Sequence, residues 1–187
     1  MAGRWWRKAR GGGERRHSVD KLHVGCGTAI IPGWFNTDLQ ALPGVDLALD
    51  VTREFPFADV RYIFCEHFLE HLPFDAGVRF LEDCFGALGV GGVLRISTPS
   101  LDWVYLSHYI PDDPDRQRKL NNTFMLNRAF YAWGHRFLYS PELLSELVRA
   151  VGFHPVVRCR HGESAFPDLA GLERHPLYDA SSGVPEI

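Results

Sequence analysis

Short apolar runs, each closed by glycine or an acidic residue, organise the chain after residue 21. Leu22-His23-Val24 leads into Gly25-Cys26-Gly27, and Trp34-Phe35-Asn36-Thr37 ends in Asp38. Val45 to Leu49 ends in Asp50, and Val60 to Cys65 ends in Glu66-His67. Nearly continuous apolar runs of this length predict strands buried on both faces, as in a parallel sheet. From Phe74 to Leu88 the spacing becomes helical, with Val78, Phe80, Leu81, Phe85 and Leu88 recurring on one stripe. Gly89, Gly91 and Gly92 stop that helix, and Val93 to Ser97 predicts a fifth strand closed by Pro99. Asp112 to Phe130 reads as a polar helix. Ser140-Pro141-Glu142 is the best helix start in the chain, a capping serine followed by proline at the first helical position. That helix runs through Leu144 and Val148 to Gly152, and His154 to Cys159 predicts a final strand.

Strands alternating with helices predict an α/β domain with a mostly parallel sheet of six or seven strands. One such domain spans residues 21–160, with a lid-like insertion near 100–137. That insertion is rich in aromatics, among them Trp103, Tyr105, Tyr109, Phe124 and Trp133. Residues 161–187 read as an irregular tail.

Composition agrees with a folded protein. Of 187 residues, 45% are apolar and 23% charged, which excludes a disordered or collagen-like chain. Charge is uneven: residues 1–21 carry seven basic and two acidic residues, whereas the rest has a net charge of −8. The segment 1–20 therefore reads as a basic tail, with Trp5 and Trp6 in it. The acidic remainder has no basic stripe, so nucleic acid is not an expected partner. No apolar run is long enough to span a membrane. The four cysteines are scattered and form no C-x-x-C pair, which points to reduced thiols and a cytoplasmic location.

In parallel sheets ligands sit at the carboxyl ends of the strands, where the strand order reverses. A glycine turn directly after the first strand lets ligand atoms approach the backbone. A carboxylate ending the next strand can accept both hydroxyls of a ribose diol, and another can meet an adenine edge. Gly25, Gly27, Asp38 and Asp50 supply these features in order and predict a nucleoside site. A loop lacking G-x-G-x-x-G argues against a nicotinamide cofactor.

The stretches LHVGCGTAIIPGWFNTDL, LALDVTREFPF, FCEHFLEHL and FGALGVGGVLRISTPSLD resemble the class I S-adenosylmethionine-dependent methyltransferases. The chain is similar in particular to small bacterial methyltransferase-like proteins, and YSPELLSELVRAVGF resembles the last helix of such domains. The resemblance implies a Rossmann-like fold and S-adenosyl-L-methionine as cofactor. It implies that Gly25, Cys26 and Gly27 pass the methionine moiety, and that Asp38 with Leu39 binds the ribose. Asp50 with Val51 would lie near adenine, and Cys65 with Glu66 would face the amino acid part. His67 and His135 are the candidate catalytic bases, with His108 beside them. The implied reaction is O- or N-methylation of a small-molecule or saccharide-like acceptor. The alternative is a non-catalytic partner subunit that keeps the fold.

Two features depart from the family. Only 13 positions separate Gly25 from Asp38, leaving room for a single helical turn at most. No apolar strand is evident after residue 160. His67-Phe68-Leu69-Glu70-His71 spells H-x-x-E-H, the inverted zinc-protease signature. Pro73 ends the segment too early for a helix to present both rings, so no metal is expected on that pair.

Overall fold

The computed structural model describes residues 17–174; the basic stretch 1–16 and residues 175–187 lie outside the described residues. The main sheet has five strands, all paired in parallel. They are β2 (Lys21–Val24), β3 (Phe35–Asp38), β4 (Leu47–Ala48), β6 (Val60–Glu66) and β7 (Leu88–Ser97). A separate parallel pair joins β1 (His17–Ser18) to β5 (Phe57–Ala58). The order of the main sheet is β4-β3-β2-β6-β7, so the chain leaves β2 in one direction and later returns to its other side at β6. The carboxyl ends of β2 and β6 flank this switch point, where ligands bind in open parallel sheets.

Alternation along the strands assigns the sheet's two faces. Leu22 pairs with Ile63 and Val24 with Cys65, and all four enter the larger core. Helix α1 (Phe74–Ala87) and helix α4 (Pro141–Val151) cover that face, contributing Phe80, Leu81 and Cys84 from one and Leu144 and Val148 from the other. Fully burying each such side chain contributes about 1.5–3 kcal/mol. As the sequence predicts, Ser140 caps α4, its Oγ accepting from the Leu143 amide. The opposite face carries Tyr62 and Phe64, which pack with Ile31, Trp34, Leu169 and Leu172. Here the cover is irregular chain, with only a single 3-10 turn at Pro167–Leu169.

The structure corrects four expectations. The sheet has five strands among the described residues, not six or seven, and His154–Cys159 is unpaired. Pro155 has no N–H to give a ladder, which disfavours a strand there. The third strand shrinks from Val45–Leu49 to Leu47–Ala48. No helical turn occupies residues 25–34 between β2 and β3; Ile31 and Trp34 from that connection are buried instead. The polar helix begins at Arg116, because Asp115 caps it by accepting from the Gln117 and Arg118 amides. This helix, α3 (Arg116–Tyr131), follows α2 (Leu101–His108), whose spacing gave no amphipathic signal. No helix among the described residues is long and apolar enough to cross a membrane.

Candidate functional site

A cavity of about 590 Å³ opens at the carboxyl ends of β2 and β6. Its floor is the Gly25–Ala29 loop together with Glu66 and His67; α2 and α3 roof it with Trp103, His108, Met125 and Arg128, and His71 and His135 close one side. Residues of the insertion after β7 thus supply much of the cavity wall.

The glycine loop is fixed by sterics and by hydrogen bonds. Gly25 adopts φ +68°, and a Cβ there would stand 2.2 Å from Phe68 Cδ2. No larger residue fits. Gly27, at φ +51°, has nothing within 4 Å of where its Cβ would stand, so that side of the loop is open to a ligand. The Cys26 amide donates to the Thr37 carbonyl at 3.0 Å, and the Gly27 amide to Asp38 Oδ2 at 2.9 Å. The loop after β2 is thereby tied to the end of β3.

Asp38 uses its other oxygen to accept from the Gln40 amide at 2.9 Å. A carboxylate offers about four lone-pair sites, so two remain for a ligand. Asp50 turns toward its own loop. It accepts from the Thr52 amide and hydroxyl at 3.0 and 2.6 Å, and Arg53 lies 3.1 Å away. The Thr52 hydrogen bonds hold its carboxyl below the usual carboxylate range. Leu39 is largely exposed, whereas Val51 is buried in the larger core. Asp38 and Leu39 at the end of β3, and Asp50 and Val51 after β4, form no part of the cavity wall.

Cys65 has no exposure at all; its thiol faces the core and burial pushes its pKa up. The Cys26 thiol, raised to about 11 by burial and then by the charge of Asp38, is protonated at neutral pH. It is not poised as a nucleophile. Glu66 lies on the cavity wall, and both its carboxylate oxygens accept from the Arg174 amide, at 2.9 and 3.0 Å. Nothing in the local sequence signals that contact.

His67 occupies a left-handed backbone position, φ +46°, and its amide donates to the Ser97 carbonyl at 2.9 Å. Its Nδ1 stands 3.4 Å from Glu70 Oε1. Glu70 is fully buried, and its Oε2 accepts from the Thr98 hydroxyl at 2.9 Å. The segment Leu69–His71 forms one 3-10 turn, so His67 and His71 share no α-helix face. His71 instead meets His135, ring centroids 5.0 Å apart and edge-on. Burial holds the His71 ring below 6.5, against the opposing pull of Glu70. His135 Nδ1 lies 2.7 Å from the Ala129 carbonyl, near the end of α3.

Of the residues expected to form the site, Gly25, Cys26, Gly27, Glu66, His67 and His135 line one cavity. Arg128, also on the cavity wall, was not among the expected residues. Arg128 lies over the Trp133 ring at 4.8 Å, a pairing that a polar helix pattern does not announce.

No family model matches the chain, and no curated protein does. Solved structures do. A SAM-dependent methyltransferase from Archaeoglobus fulgidus superposes with a TM-score of 0.50 at 18% identity, covering 75% of this chain and 62% of that one. The S-adenosylmethionine-dependent methyltransferase SibL, in its apo form, gives 0.50 at 17% identity, covering 81% of this chain and 48% of that one. The chain shares the Rossmann-like α/β fold of these two methyltransferases. It spans about three fifths of the first relative's length and about half of the second's. Within that fold, the loop after β2 and the turn after β6 stand on either side of the switch point, as the strand order requires.

Proposed function

We propose that the chain is an S-adenosylmethionine-dependent methyltransferase acting on a small-molecule or saccharide-like acceptor through oxygen or nitrogen. The observation that carries this reading is the open glycine loop at the end of β2, tied to Asp38 at the end of β3 and bordering a covered cavity. The residues present fit the cofactor: the space over Gly27 is empty, and Asp38 keeps acceptor capacity for two ribose hydroxyls. Gly25, Cys26 and Gly27 would pass the methionine part, Glu66 would meet its amino acid end, and Asp50 with Val51 would border adenine.

Bound S-adenosylmethionine supplies an electrophilic methyl on a sulfonium. The protein's task is then to hold an acceptor atom in line with that carbon and to exclude water, and orientation of this kind supplies much of the rate. Trp103, Met125 and Trp133 give the cavity an apolar cover suited to a small organic acceptor. His67 and His135, both on the cavity wall, would accept the proton that an acceptor hydroxyl or amine gives up.

Calorimetric titration with S-adenosylmethionine, S-adenosylhomocysteine and NAD in parallel tests the reading. The first two should bind and NAD should not. Asp38→Ala should weaken S-adenosylhomocysteine on the order of 100-fold, through loss of two charge-assisted bonds. Its melting temperature should fall only slightly, because the Gly27 and Gln40 amides it leaves can turn to water. Unchanged affinity would remove Asp38 from the site, and no binding at millimolar ligand would remove the cofactor.

A second reading, a partner subunit without catalysis, is favoured by one observation: no helix follows the glycine loop to aim backbone amides at the ligand. Binding of S-adenosylhomocysteine without turnover across a panel of hydroxylated and amine acceptors would select it.

A further inference from the structure

We propose that Glu70, His71 and His135 form a site for one divalent transition-metal ion, of the zinc type, on the wall of the cavity. One ligand atom from each of the three lies within 4.8 Å of the other two. The motif H-x-x-E-H suggested His67 and His71 as a pair; the fold builds a different set, in which His135 arrives from the far side of the insertion.

Backbone hydrogen bonds make the assembly. The Arg136 and Phe137 amides donate to the Glu70 carbonyl at 2.7 and 3.1 Å, which brings the chain after α3 against the turn after β6. The imidazoles are oriented as ligands. A carbonyl oxygen can only accept, so His135 Nδ1 at 2.7 Å from the Ala129 carbonyl carries the proton, leaving the lone pair on Nε2. His71 hydrogen-bonds the Gly134 backbone in the same region. Fixing a ring through its second nitrogen is the usual support of a metal-bound histidine.

Glu70 supplies the independent observation. Its side chain has no exposure, and Oε1 is buried without a hydrogen bond, His67 Nδ1 standing 3.4 Å away. A carboxylate oxygen in that position is costly unless a cation or a donor meets it. An ion would do so. Zinc holds nitrogen and carboxylate oxygen at about 2.0–2.2 Å, so its ligand atoms lie roughly 3–4 Å apart and small rotations of the two rings close the set. Two imidazoles and one carboxylate suit zinc, iron or cobalt, whereas magnesium and calcium prefer an all-oxygen shell. Three protein ligands leave a coordination position, and both histidines border the cavity.

An ion there would meet an oxygen or nitrogen atom of the acceptor and lower its proton affinity; that use rests on the methyltransferase reading. With the ion bound, His135 is a ligand and not a base. Occupancy of the site rests on neither statement and is measured without cofactor.

The test uses the full chain, free of any affinity tag and stripped with chelator, titrated with zinc by calorimetry and with cobalt by visible absorption. One ion per chain should bind, raise the melting temperature and be reversed by chelator, while magnesium has no effect. His71→Gln and His135→Gln should each weaken zinc by about 100-fold or more, and His154→Ala, at an exposed position outside the cavity, should not. X-ray absorption of the wild-type cobalt form should show two imidazoles in the ion's shell, which decides the matter even where a variant fails to fold. No stoichiometric binding, affinity unchanged in both variants, or a shell without paired imidazoles would overturn the proposal. Zinc binding with no S-adenosylhomocysteine binding would leave this site standing and remove the methyltransferase reading instead.

Discussion

The two faces of the sheet are closed by different kinds of chain. On one, α1 and α4 lay amphipathic stripes over Leu22, Val24, Ile63 and Cys65, and the residues between strand and helix are buried almost completely. On the other, Tyr62 and Phe64 are covered by irregular segments from residues 31–34 and 169–172. Polar side chains are admitted there. His23 is buried and stacks on Phe64 with centroids 5.2 Å apart, its Nδ1 3.1 Å from Asn36 Oδ1. Asn36 in turn accepts from the Ile31 amide and donates to the Ile31 and Trp34 carbonyls. A helix satisfies its own backbone; irregular chain must borrow partners, and the buried amide of Asn36 provides them. The helical face is held by packing, the other by packing plus a polar network.

If that contrast is correct, truncation should hurt the helical face most. Phe80, 1% exposed, makes edge-on contacts with Phe55 and Phe68 at 5.8 and 5.1 Å. Phe80→Ala should cost about 3–5 kcal/mol in denaturant unfolding, and Leu169→Ala nearer 2 kcal/mol, because an irregular segment relaxes into the gap. An equal or larger loss at Leu169 would break the comparison.

Acid should act on the polar face. Burial holds the His23 ring below its ordinary 6.5, so between the folded and unfolded pKa values the unfolded chain binds more protons. Stability is therefore full above about pH 6.5 and falls as the pH drops below it, by at most about 1.4 kcal/mol per pH unit for one group. His71 and His108 shift in the same direction, so the informative quantity is the difference in slope between wild type and His23→Asn. Identical slopes would show that His23 is not the group responsible.

The smallest effect is kinetic. Cys65 and Cys84 lie fully buried on the helical face, and burial raises both thiols, whereas Cys159 is exposed. A thiol reagent should label Cys159 at once and the other two only as fast as that face opens. Prompt labelling of Cys84 would mean the helical face is the looser of the two.

Much of this was legible in the sequence, for a physical reason. A strand buried on both sides is largely apolar, so β6 stands out, β2 and β3 show as short runs closed by glycine and by Asp38, and α1 and α4 show because their stripes meet one flat core. The glycine turn after β2 was legible because Gly25 and Gly27 take positive φ, which glycine adopts at least cost, and at Gly25 a Cβ would also meet Phe68. What stayed hidden depends on distant partners. Helix α3 has no buried residue among those described, so its pattern carries no stripe. The two-residue β4 and the unpaired segment 154–159 depend on pairing, which local propensity does not encode. Glu70 and His135 come together through main-chain hydrogen bonds that any sequence could make.

The segment that ends the described chain has a consequence for how the molecule opens. Asp168 pairs with Lys21 at 2.5 Å, Glu173 with Arg95, and the Arg174 amide with Glu66. Each joins residues 78 or more apart in sequence, so the segment gains its partners only once the sheet exists. By the same logic it is the first unit to detach, a local unfolding event at lower free energy than the global one. Detachment would bare Tyr62 and Phe64 and release the carboxylate on the cavity wall in a single step. Hydrogen exchange should see amides 169–174 and the ligand-facing end of β6 lose protection together.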